Sequence, residues 1–473
     1  GGGDDPPAAL RNAQAAVAMP ELLGAGGSRS VSLAAARLPT ADELMDWAER
    51  QFPVYFSSQA ASQTTPEGLV YRFYPGTGTY LGGLNGDVLA LGPATGGQVA
   101  HLGRLADFAD LVFAGSGGSV ESDEAAARFL HQAAFGASEA DIAAVRRLGY
   151  SGWLEEQFNL SGQSRWDWLV GKGYTAVNDR TFFFNDRFCQ FAIWHDLFTA
   201  HDMVRKRWAL ALSELFVTSV ASIGGSLNWA GFAGAHFWDT LARHGFGNFR
   251  ELLEAVTLHP AMGAFLNTRG NQKEDPATGR VPDENYAREV MQLFTIGLHQ
   301  LNLDGTPRLG ANGQPIDTYT QSDVTNLARV FTGYDTDARG IGKFNSPVSP
   351  YYEIWRPEYL LRPMWLDASK HSTLEKRFLG VTIAAGTPGA TALRIALDTL
   401  FNHPNVGPFF ARQMIQRLVT SNPEPAYVAR VAAVFNNNGA GVRGDLKSVL
   451  RAILLDDAAR GPPGLASRTF GKL

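Results

Sequence analysis

Apolar residues recur with two different periods along the chain. Between residues 69 and 74 the period is two: Leu69, Tyr71 and Phe73 alternate with Val70, Arg72 and Tyr74, as in a half-buried strand. Pro75-Gly76 and Gly82-Gly83 read as turns, which predicts further short strands over residues 79–81 and 88–91. Ahead of them Thr40 and Glu43 form a capping box for a helix whose apolar face is Leu44, Trp47 and Ala48. Residues 38–113 therefore read as a small α+β module, one helix on an antiparallel sheet. Residues 1–37 are Ala-rich and weakly patterned, a flexible tether with one short helix, and Ala114-Gly115-Ser116-Gly117-Gly118-Ser119 opens a Gly/Ser linker over 114–122.

From residue 123 to 473 the helical period takes over. Ser138 and Asp141 make a second capping box, before a helix that stops at Gly149; Trp153, Leu154 and Phe158 mark the next one. Apolar-periodic segments follow at about 185–220, 234–244, 247–268, 284–298, 321–332, 391–401, 406–420, 425–436 and 444–456. Two inserts interrupt them. Asp304-Gly305 and Asn312-Gly313 predict a hairpin-like excursion over 299–319. Residues 335–380 are rich in Tyr, Trp and Pro without a clear period, and a loop of that size reads as a cover over a site. The fold class is mainly α: a large multi-helix body with long inserts, preceded by the small α+β module.

Composition narrows the function. Hydrophobic residues are 45% of 473, ample for a large core, and charged residues only 18%, against roughly 25% in an average domain. The net charge of −5 and the lack of any basic block exclude a nucleic-acid partner, which would need clustered Lys and Arg. No apolar run is long enough for a transmembrane segment. Cys189, the sole cysteine, excludes a disulfide framework and reads as a buried, inert thiol. The start Gly1-Gly2-Gly3-Asp4-Asp5-Pro6-Pro7, without methionine, reads as a trimmed product. The expectation is export to the cell surface or periplasm, as a lipoprotein anchored just upstream of Gly1 or after a simple signal-peptide cut; a cloning scar is the bland alternative.

Searches for known chemistry come back negative: there is no HExxH, GxSxG, Walker loop or EF-hand loop, and the glycines at 76, 78 and 82 miss GxGxxG. His195 and His201 fall on different faces of a helix, while His259-Pro260 and His403-Pro404 sit at helix boundaries. No metal site and no cofactor are predicted.

One segment is unusual. In residues 281–298 Asp283 suits a helix cap, and Tyr286, Val290, Leu293, Phe294 and Leu298 supply apolar surface. Between them Asn285, Arg288, Glu289 and Gln292 form a polar stripe at spacings of three and four, with Glu284 paired to Arg288 one turn away. Arg250, Glu251, Asp323 and Arg329 are candidate partners from neighbouring helices. Two readings stand: a carboxylate–Arg–amide cleft for acid/base work or ligand binding, or a network that fixes helix packing. The second candidate is HSTLEKRFLG at 371–380, where His371 and Lys376, beside Trp355 and Trp365, line a pocket under the aromatic insert or simply re-enter the fold.

These residues carry a resemblance. AARFLHQAAFGASEADI near 125–142, GNFRELLEAVTLHPAMGAFL, DENYAREVMQLFTIGL, YTQSDVTNLARVFTGY, KRFLGVTI and HPNVGPFFARQMIQRLVTSNP together resemble the bacterial family called domain of unknown function 1800, over some 350 residues. The resemblance implies a secreted or surface protein, often encoded beside a phosphatase/sulfatase-like family, and no settled reaction. Many members carry Trp-His-Asn-His-Phe where this chain has Leu212-Ser213-Glu214-Leu215-Phe216, so a metal site built on those histidines is not implied here. It also implies a further helix past Phe470-Gly471-Lys472-Leu473. Residues 38–113 separately resemble a small module placed before varied exported domains in betaproteobacteria, which implies adhesion or anchoring.

Two functions are therefore expected. The first is a surface structural or binding protein of an extracellular assembly, with other matrix proteins or a polysaccharide as partner. The alternative is a hydrolase-like enzyme on an extracellular polymer, with Glu284, Glu289 and His371 as catalytic candidates and Asn285, Arg288, Gln292, Asp323, Arg329, Lys376, Trp355 and Trp365 as ligand-binding ones.

Overall fold

Thr40 and Glu43 cap the first described helix, α1 (Ala41–Gln51), as their spacing predicts: the Thr40 amide donates to Glu43 Oε2 at 2.9 Å and the Glu43 amide to Thr40 Oγ1 at 3.2 Å. The structure, a computed structural model, describes residues 40–51, 61–66, 68–75, 78–91, 99–105, 120, 122–176, 185–346 and 353–461. The tether, the 114–119 linker, the approach to Phe113, the Trp47 side chain, Gly76 and the stretch at 470–473 lie outside the described residues. Two compact units emerge, Gly1–Ala126 with Ile142–Trp153 and Asn438–Gly441, and Ala127–Asp141 with Leu154–Asn437 and Val442–Leu473.

In the first unit β1 (Gln63–Thr64), β2 (Val70–Tyr74), β3 (Thr79–Leu84), β4 (Asp87–Leu91) and β5 (Val99–Arg104) form a five-stranded antiparallel meander in sequence order. Gly82-Gly83 is not the turn that the sequence suggests. Both glycines lie inside β3, and the hairpin turns at Asn85-Gly86, whose φ values of 51° and 86° suit an Asn-Gly turn. A Cβ on Gly82 would come within 2.5 Å of the Val70 carbonyl oxygen, and one on Gly83 within 2.8 Å of Ala41 Cβ. The second contact explains how α1 lies so close to the sheet, with Leu44, Met45 and Ala48 packed on Tyr74, Leu81 and Val88. Arg72 ties the two layers, meeting Asp46 at 2.6 Å and Glu49 at 3.0 Å.

The second region is helical: α2 (Asp123–Ala133), α3 (Glu139–Asn159), α4 (Arg165–Gly171), α5 (Arg187–Thr199), α6 (Met203–Ser213), α7 (Val220–Ile223) and α8 (Ala230–His244) come first. Gly149, expected as a stop, is instead a kink inside α3, with φ 72°. The predicted 185–220 stretch is broken before Asp202, which leaves helical geometry and is wholly buried. Helix α8 is the axis of the body, and its residues from Ala230 to Phe237 are all buried. The 247–268 segment divides into α9 (Phe249–Thr257) and α10 (Pro260–Phe265), because Pro260 has no amide to continue the ladder. Later come α11 (Asn285–Glu289), α12 (Gln321–Ala328), α13 (Gly389–Asn402), α14 (Val406–Leu418), α15 (Pro425–Asn436), α16 (Leu446–Leu455) and α17 (Asp457–Arg460). Phe249 packs edge-on against Phe410 at 5.0 Å and Phe435 at 5.4 Å, joining α9 to α14 and α15. No described helix is long and apolar enough to cross a membrane.

The 284–298 segment departs from a simple helix. After Glu289 it widens into a π-turn over Val290–Thr295, so the spacing of faces changes. Tyr286, Val290 and Phe294 are buried, whereas Leu293 and Leu298, read as part of the same apolar surface, are about half exposed. The 299–319 excursion is bridged at His299–Asp317, Leu301–Pro307 and Leu309–Pro315, with φ near 75° at Gly305 and Gly313. The 335–380 insert, aperiodic in sequence, contains short antiparallel pairs: β6 (Tyr334–Asp335) with β9 (Trp365–Leu366), β7 (Lys343–Asn345) with β8 (Glu353–Trp355), and β10 (Lys376–Phe378) with β11 (Val381–Ile383).

Candidate functional site

The polar stripe turns toward α12 and Tyr319, two residues ahead of it. Arg288 Nη2 reaches Glu284 Oε2 at 3.2 Å and donates to Gln321 Oε1 at 3.0 Å. Glu284 also accepts from Gln321 Nε2 at 2.8 Å and from Thr325 Oγ1 at 2.7 Å. The Thr325 hydroxyl, with Gln321 and Arg288, holds the Glu284 carboxyl below its usual pKa against partial burial. Gln292 accepts from the Tyr319 hydroxyl at 3.0 Å.

Glu289 differs. Its Oε2 is buried and has no hydrogen-bond partner among the described residues. Burial pushes its pKa up, and Arg288 pulls it only partly back. The carboxyl stands at the α-to-π transition, a distortion that recurs at functional sites.

Of the partners proposed from neighbouring helices, none joins the stripe through a hydrogen bond or ion pair among the described residues. Arg250 is held by Asp398 at 2.8 Å and Glu254 at 2.7 Å, and Glu251 is exposed. Asp323 completes a capping box with Thr320 and accepts the Leu379 amide at 2.8 Å, where Leu379 has φ 47°. Arg329 donates to Asn326 Oδ1 at 2.9 Å and to the Glu375 carbonyl at 3.2 Å. These three therefore brace α9, α12 and the β10–β11 hairpin.

In the 371–380 segment His371, Ser372, Lys376 and Phe378 are buried, while Thr373, Leu374, Glu375, Arg377 and Gly380 are exposed. His371 Nδ1 lies 2.9 Å from the Thr332 carbonyl, and Nε2 has no hydrogen-bond partner among the described residues. Lys376, fully buried, donates to the carbonyls of Ser372 at 2.8 Å and Leu374 at 3.1 Å. Ser372 Oγ bonds Glu274 at 3.0 Å. Burial lowers the pKa of both His371 and Lys376. The tryptophans lie against other groups: Lys343 Nζ is 4.2 Å over the Trp355 ring, and the Arg339 guanidinium 4.5 Å over Trp365. No hydrogen bond or ring contact joins either tryptophan to His371 or Lys376 among the described residues.

Sequence reading missed the densest charge cluster. Arg165 meets Asp196 at 2.7 Å and Asp239 at 3.4 Å, and Lys206 meets Asp196 at 2.9 Å and Asp202 at 3.7 Å. Arg205 approaches Asp202 at 3.6 Å, so three acids face three bases. Asp239, from α8, also accepts the Arg165 and Trp166 amides at 2.9 Å each, capping α4 from outside. The signal was visible: Asp196, Lys206 and Asp239 each sit among apolar residues at core spacing. Next to it, His259 Nδ1 accepts the Ala261 amide at 3.1 Å, so Nε2 carries the proton and donates it to His236 Nδ1 at 2.9 Å. His236 is thereby protonated on Nε2, and burial pushes its pKa down to about 4; burial likewise holds His259 well below its usual value.

Among the described residues no three His, Cys, Asp or Glu side chains gather as a metal ion would require. The sequence model of a family described as "Protein of unknown function (DUF1800)" matches residues 128–470. No curated protein and no solved structure matches the chain.

Proposed function

The chain belongs to the DUF1800 family, and we propose that it is an exported bacterial surface protein that works by binding extracellular material, as part of a structural assembly. The observation that carries this reading is the sealed cluster of Arg165, Lys206, Asp196, Asp202 and Asp239. With Arg205 beside Asp202 its three acids face three bases, and it links α4, α5, α6 and α8, a use of ion pairs suited to fixing shape. Glu284 is likewise engaged by Arg288, Gln321 and Thr325, across to α12. The paucity of charge, 18% of residues, supports export.

A second reading, a hydrolase-like enzyme on an extracellular polymer, rests on Glu289, whose raised pKa and unpartnered oxygen suit a general acid. One experiment weighs the two. The untruncated protein is incubated with washed cell envelopes and extracellular material of a producing bacterium, then sedimented. Saturable retention with no release of soluble fragments supports binding. Release of fragments that stops in Glu289→Gln overturns it in favour of the enzyme.

A further inference from the structure

Helix α5 is built inside out. Its buried face carries Phe188, Cys189, Ala192 and Asp196, with the Asp196 carboxylate in the ion cluster. Its outer face carries Phe191, Trp194 and Phe198, which are 51%, 58% and 81% exposed. Spacings of three and four put these rings on one stripe. The rotation of the helix is fixed from below. A Cβ on Gly234 of α8 would stand 2.8 Å from Cys189 Sγ, and one on Gly231 3.0 Å from the Asn185 carbonyl oxygen. Turning the aromatics inward would carry Asp196 away from Arg165 and Lys206. Large apolar groups held outward in this way mark an interaction surface.

The chemistry of the face selects the occupant. Trp194 and Phe198 have ring centroids 5.7 Å apart and planes within 21°, so they present closely parallel faces. Exposed Gln190, His195 and Thr199 lie between and beside the rings, offering an amide, an imidazole and, since the Thr199 hydroxyl donates to the His195 carbonyl at 2.7 Å, a hydroxyl oxygen as acceptor. Trp168 extends the surface from α4, with His195 at 5.0 Å and Lys172 Nζ at 5.4 Å from its ring. The outer face of α5 bears no carboxylate, and Arg187 is its only Lys or Arg. Aromatic faces are negative and attract the weakly positive C–H edges of a sugar ring, while the polar groups meet hydroxyls. An anionic membrane or polyanion asks for a cluster of basic residues, and the core of a stable homodimer interface for a more apolar surface than this mixed one.

We propose that the α5 face, Phe191, Trp194 and Phe198 with Gln190, His195 and Thr199, binds an uncharged polysaccharide chain. This rests on the binding reading above and names its partner. The test titrates the untruncated protein with cello-, laminari-, manno- and xylo-oligosaccharides, followed by tryptophan fluorescence and calorimetry, in wild type, Trp194→Ala and Phe198→Ala. The side chains removed are exposed, and a melting curve identical to wild type confirms the fold. Binding to at least one series, weakened tenfold or more by either change, is the expected result. Binding that ignores both changes, or no binding to any series, overturns the proposal. So does capture by anionic phospholipid vesicles alone, or a dimer that dissociates in Trp194→Ala. Envelope retention separates the two levels: if a variant with both Trp194→Ala and Phe198→Ala is retained like wild type, this face is wrong and the binding reading stands. If wild type is not retained, the binding reading itself fails.

Discussion

Lys206 Nζ lies 2.9 Å from Asp196 Oδ2, the lysine fully buried and the aspartate side chain 5% exposed. The carboxylate also faces Arg165 at 2.7 Å, so its loss would strand two cations in the core. Removing one member of a buried pair typically costs about 3–5 kcal/mol, since the remaining charge keeps its desolvation penalty. Asp196→Asn is expected to fall in that range by urea unfolding. Asp196→Asn with Lys206→Met should cost less than the two single losses added, because the second change removes one stranded charge. Additive losses would show that the two side chains do not work as a pair.

Glu289 should behave in the opposite way. Its folded pKa is raised, so above the unfolded value of about 4.3 the folded chain binds more protons than the unfolded one. Stability therefore falls as pH rises from there through the folded pKa, and the penalty persists above it. Glu289→Gln removes the titrating group while keeping the shape. Its melting temperature should match wild type near pH 4 and equal or exceed it at pH 7, where the carboxylate is charged. A marked loss at pH 7 would mean that Glu289 has a cationic partner and belongs to a packing network.

The His236–His259 pair sets an acid-side limit. Both folded pKa values are depressed, His236 to about 4, whereas an unfolded histidine titrates near 6.5. Below that value the unfolded chain takes up protons that the folded pair refuses, so stability is full above it and declines as pH falls toward 4. Nitrogen-detected NMR at pH 5.5 should find both rings neutral and protonated at Nε2. A protonated imidazolium in either ring at that pH would break the donor–acceptor chain from Ala261 through His259 to His236.

Much of this fold was legible because it obeys local rules. The capping box at Thr40, the helix cap at Ser138, the alternation of β2, and the α15 boundaries at Pro425 and Asn436 follow from propensity and spacing alone. What stayed hidden depends on distant contacts. Gly82 and Gly83 read as a turn because their close neighbours, Val70 and Ala41, are remote in sequence. The π-turn after Glu289 breaks the regular period that pattern reading assumes. The stripe residues were identifiable as polar, but their partners Tyr319, Gln321 and Thr325 come from the next insert and helix, where no spacing rule reaches. The outward aromatics of α5 escaped notice for a related reason: an apolar residue at a helical spacing is read as core, and a charged one as surface.

That inversion makes a further prediction at Gly234. A methyl group there would meet Val220 Cγ2 at 2.5 Å and Cys189 Sγ at 2.8 Å. Both are short, stiff side chains in a buried contact, so relief requires α5 or α7 to move away from α8. Overpacking of this kind costs about 1–3 kcal/mol. Gly225 is the natural comparison, because a methyl group there meets nothing within 4 Å. Gly225→Ala should leave stability unchanged or raise it by up to about 1 kcal/mol, through lost freedom in the unfolded chain. Urea melts of Gly234→Ala and Gly225→Ala beside wild type read the difference. If Gly234→Ala melts like wild type, α5 is free to shift outward and its rotation is not locked by α8. The ion pairs of Asp196 with Arg165 and Lys206 would then carry more of the constraint that keeps Phe191, Trp194 and Phe198 in solvent.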